Sequence, residues 1–198
     1  MERLKRLIEL IPEFVGAGLL DAAGGNLAVR TSKGIYVTPS QAGEQLHWRL
    51  SLEDFVLFPG ASEASMARAG RRPSRENHIH RAVLAARTDF HCTYLGHPWG
   101  ALGFALARRP LPLSAQHSRM INRHKEITVP VLPEMPAVIH ELAELASHTL
   151  ATEFREAECA ALLLGGVGLL SAAAEPETLL ALSQSMENCA RAQAWLLK

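Results

Sequence analysis

The chain has 198 residues, 48% of them apolar and 20% charged, enough for one sizeable core and too few for two ordinary domains. Lys plus Arg and Asp plus Glu each number 20, so no net basic field exists to hold a nucleic-acid backbone, and nucleic acid is excluded as an expected partner. The cysteines, Cys92, Cys159 and Cys189, are odd in number, far apart and set in apolar runs, which predicts buried reduced thiols and a cytoplasmic protein; the charged start MERLKRLIELIPEF predicts neither a signal peptide nor a membrane span.

Leu4, Leu7, Ile8 and Ile11 recur at helical spacing, so the chain opens on an amphipathic helix, punctuated by Pro12 and then by Gly16 and Gly18. NLAVRTSKGIYVTPS predicts two short strands, Asn26 to Thr31 and Ile35 to Pro39, around a turn at Ser32, Lys33 and Gly34, and FVLFPG predicts a third from Phe55. Residues 59 to 74 carry prolines, glycines and an arginine pair and read as a loop. A helix is expected from Ser74 as its cap, with Glu76 in the first turn, through Ile79, Val83 and Leu84 to Arg87. Next come a strand over 90–96, a helix over 99–107, a proline-rich passage, and a helix over 137–153 with Val138, Leu142, Leu145 and Leu150 inward. AALLLGGVGLL reads as one central strand broken by glycines, and a helix with Pro176 early in it closes the chain. Strands and helices mixed without strict alternation predict an α/β fold: a mixed, largely antiparallel central sheet layered between helices in a single domain over 1–198.

Polar groups gather at junctions between these elements. In DAAGGNLAVR, Gly24, Gly25 and Asn26 stand where a strand begins; glycines permit close backbone approach and free amides can face an anion, although such a pair is usually a plain turn. YVTPS ends a strand with Thr38 and Ser40, and RPSRE opens a helix with Ser74 after the same Pro-Ser pair. Ser74 and the amides behind it form a natural phosphate seat to which Arg75 adds charge, the plainer alternative being an ordinary N-cap. Glu76, one step past that seat, is placed for a general base, and a surface first-turn glutamate explains it nearly as well. TYLGHP ends a strand in His97. Two histidines one residue apart at such a strand end would share a metal, but Leu95 holds the position two before His97. His91 is six residues away, about 20 Å along a strand at ~3.3 Å per residue, too far to share a zinc with His97. His80, on the same helix face as Glu76, is expected to pack or hydrogen-bond.

The segments GGNLAVR, YVTPS, RPSRENHIH, RTDFHCTYLGHP and ALLLGG and the closing amphipathic helix, taken in order between Leu4 and Leu197, resemble the class II aldolase/adducin family, most of all its L-fuculose-phosphate aldolase group. The resemblance implies a homotetramer with its active site at the subunit boundary and a phosphorylated sugar as partner. It further implies zinc on three histidines, a glutamate that moves the proton, and glycine, asparagine and serine contacts to the phosphate. Carried over by position, the phosphate contacts fall on Gly25, Asn26, Ser40 and Ser74, the catalytic glutamate on Glu76 and one metal ligand on His97. Arg75 takes the place of a second serine, where it could strengthen the seat or fill it, and Gln41 that of a glycine, where its side chain could crowd the seat. Leu95 takes the place of the first metal histidine; the third would precede a glycine within LLGGVG, Leu163 to Gly168, and no histidine follows His148. No tyrosine follows Tyr94 to act as proton donor, and Gln116 or His117 occupies that region. His117 and His124 are the candidate replacement ligands.

One histidine and a glutamate fall short of the usual zinc ligand count, and none of Lys5, Lys33, Lys125 and Lys198 lies in a setting that would make a Schiff-base nucleophile. Two functions stand side by side. One is aldol cleavage of a phosphorylated ketose to dihydroxyacetone phosphate and an aldehyde, with zinc recruited unusually. The other is a catalytically silent phosphosugar-binding or assembly module.

Overall fold

A computed structural model of the chain describes residues 1–60, 70–122, 126–134 and 139–196. Its strands are β1 (Asn26–Thr31), β2 (Gly34–Val37), β3 (Val56–Phe58), β4 (Cys92–Gly96), β5 (Leu111–Pro112), β6 (Thr128–Val129), β7 (Val131–Leu132), β8 (Cys159–Leu164) and β9 (Gly168–Ala173). Its α-helices are α1 (Glu2–Gly16), α2 (Ala42–Leu46), α3 (Asn77–Ala86), α4 (Trp99–Leu106), α5 (Ala115–Ile121), α6 (Ile139–Glu153) and α7 (Pro176–Leu196). Seven strands form one sheet in the order β3-β2-β1-β4-β9-β8-β7, antiparallel throughout except where β7 meets β8, while β5 and β6 pair apart. The expected mixed, largely antiparallel α/β sheet is therefore present.

Helices α1, α4 and α7 pack against one another and the sheet on one side, and α3 with α6 on the other. Cover on both faces explains why β4, β8 and β9 are buried at every residue and are apolar apart from Thr93, the Tyr94 hydroxyl and Ser171. Alternation along β4 sends Tyr94 towards α1, where its hydroxyl donates to the Leu19 carbonyl, and Thr93 and Leu95 to the α3 side. The buried Arg87 guanidinium donates to the carbonyls of Leu150 and Ala157, tying the end of α3 to α6 and the turn beyond it.

Several boundaries differ from the sequence expectation. AALLLGGVGLL is two strands: Gly166 (φ +72°) and Gly168 (φ +147°) reverse the chain between β8 and β9, so the glycines make a hairpin rather than interrupt a strand. Helix α1 runs through Pro12 to Gly16, and its chain leaves through Gly18 at φ +69°. Helix α3 begins at Asn77, with Ser74 to Glu76 forming a turn before it. The proline-rich passage contains α5 and the short strands β5, β6 and β7. In α6, Leu142 and Leu150 are buried and Leu145 half-buried, while Val138 lies outside the described residues. All three cysteines are free and buried, and burial pushes the Cys159 thiol up to about 12. Among the described residues no helix is long and apolar enough to cross a membrane.

Candidate functional site

The antiparallel register carries distant segments to one end of the sheet. Asn26 at the start of β1 pairs with Leu95, and Gly96 at the end of β4 pairs with Leu169 at the start of β9. Beyond β2, Thr38 is stitched to Leu27 by N–H to carbonyl at 2.9 Å and by its hydroxyl, which accepts from the Leu27 amide at 3.1 Å. The two Pro-Ser pairs then meet: Pro39 and Pro73 form an isolated antiparallel bridge, and the Ser40 amide donates to the Arg72 carbonyl at 2.8 Å. As a result Gly25, Asn26, Ser40, Ser74, Arg75, Glu76 and His97 all line one cavity of about 240 Å³.

The glycine loop closes one wall. Asp21 Oδ1 accepts the amides of Ala23 and Gly24 at 2.8 and 2.9 Å, so these two amides are taken by the chain rather than offered to an anion. Gly24 lies flat against His97: a Cβ there would stand 3.2 Å from both Cδ2 and Nε2 of the ring. Gly25 holds φ +102°, and a Cβ on it would come within 2.5 Å of Leu20.

The opposite wall decides between cap and seat. Ser74 is 7% exposed, and its hydroxyl caps nothing: α3 has Glu76 in the cap position without any side-chain cap bond, and Ser74 Oγ is buried with no partner among the described residues. A buried hydroxyl left unpaired carries a desolvation penalty of about 1–3 kcal/mol, so such an atom on a cavity wall is suited to a ligand. Gln41 sits at φ 61°, a region glycine occupies freely. Its side chain accepts from Gln45 Nε2 at 2.8 Å and donates to Glu44 at 3.3 Å, and with Glu44 it lines the same cavity.

Asn26 is 5% exposed, and its Oδ1 is bonded to Nε2 of the fully buried His80, whose Nδ1 lies 2.7 Å from Thr93 Oγ1. Burial lowers the His80 pKa to about 3, so the ring is neutral at physiological pH. The expectation that His80 hydrogen-bonds rather than ligates is met.

At the third wall, His97 Nδ1 donates to the Val167 carbonyl at 2.5 Å, which leaves Nε2 as the ring's lone-pair nitrogen, the atom that faces Gly24. Leu95, fully buried, occupies the same side of β4 two residues earlier, and Val167 is the residue before Gly168. This donor set does not fit zinc: one imidazole nitrogen and the Glu44 and Glu76 carboxylates line the cavity, but they are not placed to converge on one ion. Among the described residues no group of three His, Cys, Asp or Glu side chains is placed to hold a metal ion. Within the chain His117 does not line this cavity, its Nδ1 lying 2.6 Å from Ser114 Oγ; His124 and Lys125 lie outside the described residues. His91 lines a separate cavity with Arg3, Arg30 and Glu175.

One residue near His97 escaped the sequence reading. Glu187, 2% exposed on α7, accepts the Gly100 and Ala101 amides at 2.9 Å each and Arg191 Nε at 2.6 Å, fixing the start of α4 directly after His97 and Pro98. A glutamate in an amphipathic helix carries no local signal for this role.

Residues 5–194 match the family described as Class II Aldolase and Adducin N-terminal domain. An L-fuculose phosphate aldolase of Haemophilus influenzae is 26% identical over 197 residues, covering all of this chain and 83% of that protein. Among solved structures, one L-fuculose 1-phosphate aldolase superposes with a TM-score of 0.79 at 22% identity, over 98% of this chain and 86% of its own. That of Thermus thermophilus gives 0.76 at 23% identity, over 98% and 94%. At such identities the structural likeness speaks for the fold, and the match over nearly the whole length speaks for descent. The chain belongs to the class II aldolase and adducin N-terminal domain family.

Proposed function

We propose that the cavity binds the phosphate end of a small phosphorylated sugar without a metal ion, so that the chain acts as a phosphosugar-binding member of its family. The observation that carries this reading is Ser74 Oγ, buried and unpaired on the wall shared with Asn26, Ser40 and Arg75. The serine hydroxyls and the Asn26 amide would donate to phosphate oxygens and Arg75 would add charge. Beyond them, Glu76 would lie along the carbon chain, and His97 Nε2 would accept from a sugar hydroxyl. At about 240 Å³ the cavity is smaller than the roughly 300–1,000 Å³ clefts that take drug-sized ligands, which favours a short phosphorylated chain. Calorimetric titration of chelator-treated protein with dihydroxyacetone phosphate tests the proposal: saturable one-site binding supports it, and heat of dilution alone overturns it.

Aldol cleavage is the second reading, favoured by the relatives named above and by Glu76 and His97 sharing one cavity. It requires donors from outside the described residues, such as His124. It predicts zinc that survives dialysis and activity lost in E76Q. Under either reading the family's homotetramer and a cytoplasmic location are part of the proposal. Trp99, Leu106 and Trp195, which are 82%, 61% and 75% exposed, provide apolar surface for copies to cover, and sedimentation velocity would show a single species of four chains.

A further inference from the structure

His80 has no place in the chemistry outlined so far, yet it is a fully buried titratable side chain with both ring nitrogens engaged. A neutral imidazole carries one N–H, and its two neighbours differ in what they can do. Thr93 Oγ1 can donate or accept, whereas Asn26 Oδ1 only accepts. The N–H therefore belongs on Nε2, donating to Asn26, and Nδ1 accepts from the Thr93 hydroxyl. Burial, which holds His80 neutral, leaves no second proton to disturb this order. Asn26 lines the cavity, and its Nδ2 is neither bonded within the described residues nor among the buried unpaired atoms. Turned over, the amide would present its carbonyl oxygen to the cavity and repel an anion there.

We propose that His80 is a positioning residue for phosphate recognition: it grips the Asn26 amide by its oxygen, so that both Nδ2 hydrogens face the cavity. This rests on the phosphate reading of the site and adds what fixes the polarity of one wall. The lever runs from the core of α3, through β1, to the ligand, and Thr93 on β4 sets its far end.

The test uses two substitutions of the full chain and inorganic phosphate as probe. In H80Q the amide nitrogen reaches about where Nε2 stands and keeps the bond to Asn26; in H80N only the Thr93 side is kept. With melting temperatures matched, H80N should weaken phosphate binding about tenfold and H80Q by less than about threefold. Equal affinities in both variants, whether unchanged or equally weakened, would overturn the proposal. Should neither variant fold, the imidazole ¹⁵N spectrum of ligand-free wild type decides: an Nε2–H tautomer at His80 supports the proposal and an Nδ1–H tautomer overturns it. Wild-type protein that shows the Nε2–H tautomer and yet binds no phosphate would overturn the phosphate reading itself, and this role with it.

Discussion

At the end of the cavity lined by Ser40, Ser74 and Asn26, the chain leaves a buried hydroxyl unpaired; at the end lined by His97, the neighbouring Leu95 and Val167, where the family resemblance implies further imidazoles, carry no donor side chain. Both ends are built by the same register at one edge of the same sheet, so the contrast is one of side chains and not of backbone. A fold that fixes positions this firmly can lose one half of a site while the other half stays in place.

Putting donors back should have the largest effect. Replacing Leu95→His together with Val167→His would supply two imidazoles around His97, and zinc affinity should rise at least about 100-fold, since altering even a partner behind a ligand changes affinity by about 10–100-fold. Zinc binding measured by competition with a chromophoric chelator checks this; no gain in a folded double variant would mean that positions 95 and 167 do not face a common point.

Ser74→Ala acts on the other end. Phosphosugar affinity should fall about tenfold or more, while stability to urea should rise by about 1 kcal/mol or more, because burial of an unpaired hydroxyl is relieved and no bond is lost. Were Ser74 a helix cap after all, the substitution would cost about 1 kcal/mol and leave affinity alone.

His80 links the site to acid stability. Its folded pKa of about 3 lies below the 6.5 of the unfolded side chain, so the unfolded state takes up a proton first. The stability this contributes is complete above 6.5 and is lost as pH falls towards 3. At about pH 5 the loss should be about 2 kcal/mol in urea midpoints relative to neutral pH, and H80Q should abolish that part of the slope. An identical pH dependence in wild type and H80Q would show that His80 is not held neutral.

The smallest effect is expected from Gln41→Gly. Relief of the left-handed backbone should be worth about 1 kcal/mol at most, offset by loss of the bonds to Gln45 and Glu44, with affinity within about threefold of wild type. A tenfold gain in phosphosugar affinity would show that the glutamine crowds the seat.

The sheet and the helices over it were legible because β1 and β4 are short buried runs bounded by glycine and proline and α3 carries an apolar stripe at helical spacing, and the ordered motifs fixed which family they belong to. Glycine pairs proved ambiguous: LLGGVG looks the same as a broken strand or a hairpin until the positive φ values of Gly166 and Gly168 are known. Ser74 met the pattern of a cap, and only the surrounding burial reveals that its hydroxyl caps nothing. The missing imidazoles could be counted in the sequence, because Leu95 is simply not a donor. The bond of His80 to Asn26 and those of Glu187 to the Gly100 and Ala101 amides could not be foreseen, since they span 54 and 86 or 87 residues and depend on tertiary contact.

The most direct measurement is the dissociation constant for dihydroxyacetone phosphate in two matched samples, one dialysed against chelator and one saturated with zinc. Equal constants, each weakened about tenfold or more by S74A, are the predicted result. Binding that appears only in the zinc-loaded sample would contradict a seat that works on its own.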